Sequence, residues 1–132
     1  VALDSGSTDN VCHKADAPGY DLAESSGSKR GQTFTVGDGS KINNLGQFVL
    51  NLQGGEDGGN NIATTFQVAK VTRPLMSVGR ICDNEMDVLF SDTKAKVIAR
   101  SDGATVCTFE RQNGGLYLAK FRLKKPDFGR QG

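Results

Sequence analysis

The sequence predicts an all-β fold, a closed barrel or a sandwich of short strands, and three observations carry that prediction. Seventeen glycines stand against three prolines in a chain of 132 residues, a balance that suits tight turns between short apolar runs. No stretch of ten or more residues repeats its apolar positions with a helical period. Turn signals recur about every 8–12 residues, the spacing of sandwiches and barrels. The length predicts one domain over residues 1–132 with a modest core.

The elements run in order along the chain. Val1, Ala2 and Leu3 read as an apolar strand that breaks at Asp4-Ser5-Gly6. Residues 33–36 alternate and stop at Gly37-Asp38-Gly39-Ser40, where Asp-Gly signals a hairpin turn. Residues 41–45 and 47–52 read as returning strands with a bulge at Gly46, and 53–61 as a glycine-rich loop. Residues 62–71 alternate apolar with polar until Arg73-Pro74 breaks the pattern. Residues 75–79 predict a short buried strand ending at glycine, and 80–85 one short helix. Strands at 87–90, 95–99, 105–109 and 116–123 complete the chain, with hairpin turns at 101–103 and 112–115. Phe66, Met76, Met86, Phe90 and Phe109 are the expected core.

Composition excludes several functions. Sixteen basic and fifteen acidic residues leave a net charge of +1, with a pI near 7.9. There is no basic stripe interleaved with aromatics, so no nucleic-acid partner is expected. The small basic tail of Arg122, Lys124, Lys125 and Arg130 reads as solvated. No apolar run approaches membrane-spanning length and no signal peptide is recognisable, so no membrane partner is expected. Cys12, Cys82 and Cys107 are odd in number and widely spaced, which favours a reducing, intracellular setting. His13 is the single histidine and Cys12-His13 has no second ligand cluster, so no metal and no cofactor are expected. The chain begins at Val1, without methionine and inside a strand, as a piece of a longer product would.

Asp4 is the candidate for chemistry. A carboxylate where a strand turns into a loop can be oriented and made to exchange protons with water. Ser5 can hydrogen-bond there and Gly6 admits a close backbone. The tripeptide alone is a weak signal, and an ordinary turn in an unrelated glycine-rich β-sandwich is the plain alternative.

The order of motifs resembles the retropepsins, the aspartic proteases of retroviruses and retrotransposons. A hydrophobic strand carries Asp4-Ser5-Gly6-Ser7, and a glycine-bearing hairpin comes about thirty residues on, at Val36 to Ser40. Then come a long apolar strand and Leu75-Met76-Ser77-Val78-Gly79-Arg80, leading into a short helix. The wording is similar to the protease region of copia-type retrotransposon polyproteins. There the catalytic triplet is Asp-Ser-Gly, the hairpin carries Asp-Gly-Ser, and Pro-Leu-x-Ser-Val-Gly precedes the helix; here these fall at 4–6, 38–40 and 74–79. The resemblance covers residues 2–90, and Asn-Gly-Gly-Leu-Tyr-Leu at 113–118 is similar to the stretch downstream of the protease in those polyproteins.

The resemblance implies a closed acid-protease barrel with a flap, a protease core over 1–90 and a C-terminal β-hairpin extension over 91–132. It implies a homodimer that cuts a retroelement polyprotein in the cytoplasm or in virus-like particles. Each chain supplies one catalytic Asp4, and two such carboxylates share a proton and activate water between them. Ser5 and Gly6 support the active-site loop, with Ser5 hydroxyls bonding across the dimer. Ser7, Thr8 and Asp9 line the substrate cleft. Val36, Gly37, Asp38, Gly39 and Ser40 form the flap that closes over the peptide. Val78, Gly79 and Arg80 pack behind the loop, Gly79 by close approach and Arg80 by pairing with Asp9 or a chain terminus, a solvated arginine at the helix start being the plain alternative. Two features depart from the family. Only Val1 to Leu3 precede Asp4, so the dimer interface falls to other residues, such as 91–132. Asp38 stands at the flap tip, where retroviral flaps are apolar and glycine-rich. A non-catalytic β-domain of the same ancestry, serving dimerisation or peptide binding, is the alternative within the resemblance.

Overall fold

The computed structural model describes residues 1–36, 38–54 and 61–124. Its longest strand pairing is the antiparallel pair β5 (Gly46–Gly54) and β6 (Asn61–Val68). Period-2 alternation turns Phe48, Leu50 and Leu52 of β5, with Ile62, Phe66 and Val68 of β6, into the core. Phe48 lies opposite Phe66 and Leu52 opposite Ile62, so the apolar faces coincide. Gly46 opens β5 at φ 137°, and a Cβ there would stand 2.5 Å from the Ala23 carbonyl oxygen. Only glycine fits that crossing.

Three short strands lie beside this pair. β1 (Ala2–Asp4) runs parallel to β7 (Leu75–Ser77), and β2 (Val11–Cys12) runs antiparallel to β7 and parallel to β6. The chain passing from β1 to β2 therefore steps over β7. Farther along, β8 (Met86–Phe90), β9 (Lys94–Ala99) and β10 (Thr105–Arg111) form a meander. β11 (Tyr117–Leu118) links this meander to β1, while β12 (Phe121–Leu123) crosses to pair with β5. Among the described residues ten strands make one mixed sheet, in the order β12-β5-β6-β2-β7-β1-β11-β10-β9-β8. The C-terminal strands are part of this sheet. β3 (Thr33–Thr35) and β4 (Lys41–Asn43) form a separate two-stranded hairpin.

The all-β expectation holds, but the closed barrel does not. The sheet is open, ending at β12 on one side and β8 on the other. At the β8 end, Arg100 covers the strand's start, donating to the Met86 and Cys82 carbonyls at 3.0 Å and to Asp87 at 2.8 Å. A guanidinium seated there occupies the Met86 carbonyl, a backbone acceptor of the edge strand.

The single predicted helix becomes three helical pieces. A 3-10 turn at Lys14–Asp16 is capped by His13, whose Nδ1 accepts from the Ala15 amide at 3.0 Å. Helix α1 (Ser26–Lys29) has a Ser25/Ser28 capping box. Helix α2 (Val78–Asp83) begins earlier than the expected 80–85 because the Ser77 hydroxyl accepts from the Arg80 amide at 3.2 Å. Val78 and Gly79 are therefore helical, and the strand before them ends at Ser77. Glu85, at φ 62°, comes just after the helix's end.

Other boundaries move for tertiary reasons. The expected strand at 62–71 stops at Val68, where the chain turns and the Val71 amide donates to the Ala69 carbonyl. The stretch 116–123 divides into β11 and β12 because its two halves pair with different neighbours. Phe66, Met76 and Phe109 are buried, but Phe90 is 45% exposed on the edge strand. Its ring rests on Tyr117 at 5.1 Å. No helix among the described residues is long and apolar enough to cross a membrane.

Candidate functional site

Asp4 closes β1 opposite Ser77 of β7. Its backbone is fixed by the sheet, while its half-exposed carboxylate projects at the sheet's end. One oxygen, Oδ1, accepts from the Gly6 amide at 2.8 Å, an Asx turn that orients the acid and starts the loop. The Ser7 hydroxyl continues the turn by donating to the Asp9 carbonyl at 2.6 Å.

Three side chains anchor this loop from behind. Ser77, fully buried, donates its hydroxyl to the Ser7 carbonyl at 2.6 Å. Asn10, also buried, accepts the Ser77 amide at 2.8 Å and donates to Thr64 Oγ1 and the Thr65 carbonyl, both at 3.1 Å. Arg80 reaches back from α2, with Nη2 2.7 Å and Nε 3.2 Å from Asp9 Oδ1, and Nε 3.1 Å from the Thr8 carbonyl.

Facing the loop is the β3–β4 hairpin, with Phe34 opposite Ile42. The tip is held by the Val36 amide donating to the Ser40 carbonyl and the Gly39 amide to the Val36 carbonyl. Asp38 Oδ1 accepts from the Ser40 amide at 2.9 Å and from its hydroxyl at 2.5 Å. Those bonds, the hydroxyl's foremost, hold the Asp38 carboxyl below its ordinary value of 3.8. Gly37 lies outside the described residues. The base is tied by Asn44, buried, whose amide group donates to Gln32 Oε1 at 3.1 Å and Gln67 Oε1 at 2.9 Å.

Between loop and hairpin lies a cleft of about 880 Å³. Asp4, Gly6, Ser7 and Thr8 line one side, and Phe34, Thr35, Val36, Ser40 and Ile42 the other. The segment 70–73 with Leu75 and Leu116 completes the wall. Asp9 does not line this single-chain cavity; its carboxylate is held by Arg80. Gly79 is not needed for close packing, since a Cβ there would meet only Ser77 Oγ, at an ordinary 3.6 Å. Ser77 and Asn10 hold the loop in its place. Ser5 is exposed at the loop's tip, outside the cleft wall.

Sequence reading did not single out Asn10, Asn44, Lys70 or Arg73 as site residues. The only available signal was an isolated polar residue beside an apolar run. Comparison with protein-family models, with curated proteins and with solved structures found no match to this chain.

Proposed function

We propose that this chain is one half of a homodimeric aspartic endopeptidase of the retropepsin type, acting on a retroelement polyprotein. The observation that supports this best is the confrontation across one cleft of the Asp4 loop and the β3–β4 hairpin. Chain order alone does not require two segments about thirty residues apart to share a cavity, yet an acid and a flap must do so to act on one peptide.

The chemistry arises from pairing two copies about a two-fold axis. Two Asp4 carboxylates about 3 Å apart cannot both ionise, so they share one proton. The ionised carboxylate takes a proton from a water held between them as that water's oxygen attacks the scissile carbonyl carbon. The protonated carboxyl donates to the carbonyl oxygen as charge develops there. The Gly6 amide fixes the orientation of each acid, and hairpin closure excludes bulk water. The pair titrates as a unit, and activity favours acidic pH.

A second reading, a peptide-binding domain without catalysis, has one observation in its favour: Asp4 is the only carboxylate among the described cleft residues. The test that separates the two is incubation of the purified chain with a mixed peptide library at about pH 5, with and without pepstatin, beside the Asp4→Asn variant. Asp4-dependent, pepstatin-sensitive cleavage by a species of twice the chain mass is the expected result. Cleavage that survives Asp4→Asn would overturn the protease reading. Binding without cleavage in a confirmed dimer would favour the second.

A further inference from the structure

Charge within the cleft is uneven. Asp4 is its one described carboxylate, whereas Lys70 and Arg73 place two cations on the wall between β6 and β7. Neither cation belongs to an ion pair among the described residues. Both are exposed, but their backbone is fixed. The Ala69 amide donates to the Cys12 carbonyl at 3.0 Å, the Val71 amide to the Ala69 carbonyl at 2.8 Å, and the Ala2 amide to the Pro74 carbonyl at 2.9 Å. The segment is thus held to β2 at one end and β1 at the other. Much of the remaining wall is apolar, with Phe34, Ile42, Val71, Leu75 and Leu116 among its residues.

Register sets how far the cations stand from the acid. Asp4 lies opposite Ser77 and Ala2 opposite Leu75, with Arg73 two residues earlier on the same segment. Extended chain advances about 3.3 Å per residue. A peptide lying along this wall therefore brings a side chain roughly two to four residues from the bond over Asp4 within reach of the basic pair.

We propose that Lys70 and Arg73 make this cleft selective for extended peptides that carry apolar side chains over Asp4 and an acidic side chain a few residues away. This inference rests on the protease reading for its register but concerns recognition, which is measurable without turnover. Each exposed ion pair favours the acidic peptide about 1.4- to fivefold, so two cations together give about a two- to thirtyfold preference at low salt. Screening shrinks this preference as ionic strength rises.

The test uses fluorescein-labelled ten-residue peptides with one apolar centre and Glu, Gln or Lys at the flanking positions. Binding to the Asp4→Asn chain is read by fluorescence polarisation at low and high salt. In parallel, the unmodified chain is assayed for cleavage of the Gln peptide, which tests the protease reading by itself. The expected order is Glu over Gln over Lys, collapsing in high salt and inverting in a Lys70→Glu/Arg73→Glu variant whose circular dichroism matches the parent. Equal binding of Glu and Gln peptides, or a preference that survives charge reversal, overturns the selectivity even if the Gln peptide is cut. Absence of binding by all three peptides overturns it as well. Glu preference without cleavage upholds the selectivity and counts against the protease.

Discussion

Asn10 Oδ1 accepts the Ser77 backbone amide at 2.8 Å, and neither residue reaches solvent appreciably. Through that bond, the residue just before β2 holds the last residue of β7, the strand beside it in the sheet. Asn10→Ala leaves the Ser77 amide and the Thr65 carbonyl without this partner inside the protein. A buried group stripped of its partner costs about 1–3 kcal/mol. Urea unfolding should therefore show a loss of about 2–3 kcal/mol. A change below about 0.5 kcal/mol would mean that the loop is held by other means.

Gly6 separates folding from function. A Cβ built on it meets only Asp4 Oδ1, at 3.4 Å, and its φ does not demand glycine. Gly6→Ala should therefore fold with a melting temperature close to the parent's. The added methyl projects where substrate or a partner loop approaches the carboxylates. Peptide cleavage should then fall about ten- to hundredfold, the cost of displacing reacting groups by a fraction of an ångström or more. Unimpaired cleavage in the alanine variant would show that nothing comes close to Gly6.

Arg80 grips Asp9 and the Thr8 carbonyl with two nitrogens of one planar group. A lysine ammonium cannot reproduce that fork. Arg80→Lys should cost about 0.5–1 kcal/mol, since the arginine is half exposed while Asp9 is largely covered. Its sharper signature should be faster hydrogen exchange at residues 5–9, with α2 unchanged. Uniform exchange across the chain would instead indicate a purely global role.

Strands with unbroken alternation were legible in the sequence. β5 and β6 obey the period-2 rule, and the Asp-Gly and Asn-Gly turns fall where hairpins form. Elements without a periodic stretch were not: β2 is two residues long and is made by its pairing to β6 and β7, and α1 depends on the Ser25/Ser28 capping exchange. Phe90 departs from the expected core because an aromatic on an edge strand can bury one face on a neighbour, here Tyr117, and leave the other in water. At the site, Asp4 and the hairpin were recognisable as local motifs. Asn10 was not, since its partner at Ser77 lies 67 residues away and no local pattern announces it.

Cys12 carries a pH prediction of its own. Burial pushes its thiol up from an ordinary 9.0 to about 12, with Asp16 adding to the effect. A raised value in the folded state means that the associated stability is complete below pH 9 and lost as pH rises toward 12. Iodoacetamide at about pH 8.5 should therefore modify half-buried Cys82 first and spare Cys12 until urea unfolds the chain. Peptide mapping reads this directly. Equal labelling of Cys12 and Cys82 under native conditions would refute the burial of the β2 strand.

The hairpin tip responds to acid in the opposite sense. Ser40 donates both its hydroxyl and its amide to Asp38 Oδ1, lowering the carboxyl's pKa below 3.8. A depressed value means that the tip's stabilisation is present above the unfolded carboxyl's pKa and fades as pH falls through the folded one. At about pH 5, where a shared-proton pair of acids works, Asp38 is still ionised and the turn is intact. Carbon-13 NMR of the Asp38 carboxyl should show a midpoint below 3.8, moving up toward that value in Ser40→Ala. A parent midpoint at or above 3.8 would mean that the Ser40 bonds do not form in solution. The tip of the proposed flap would then be open under the very conditions in which cleavage is sought.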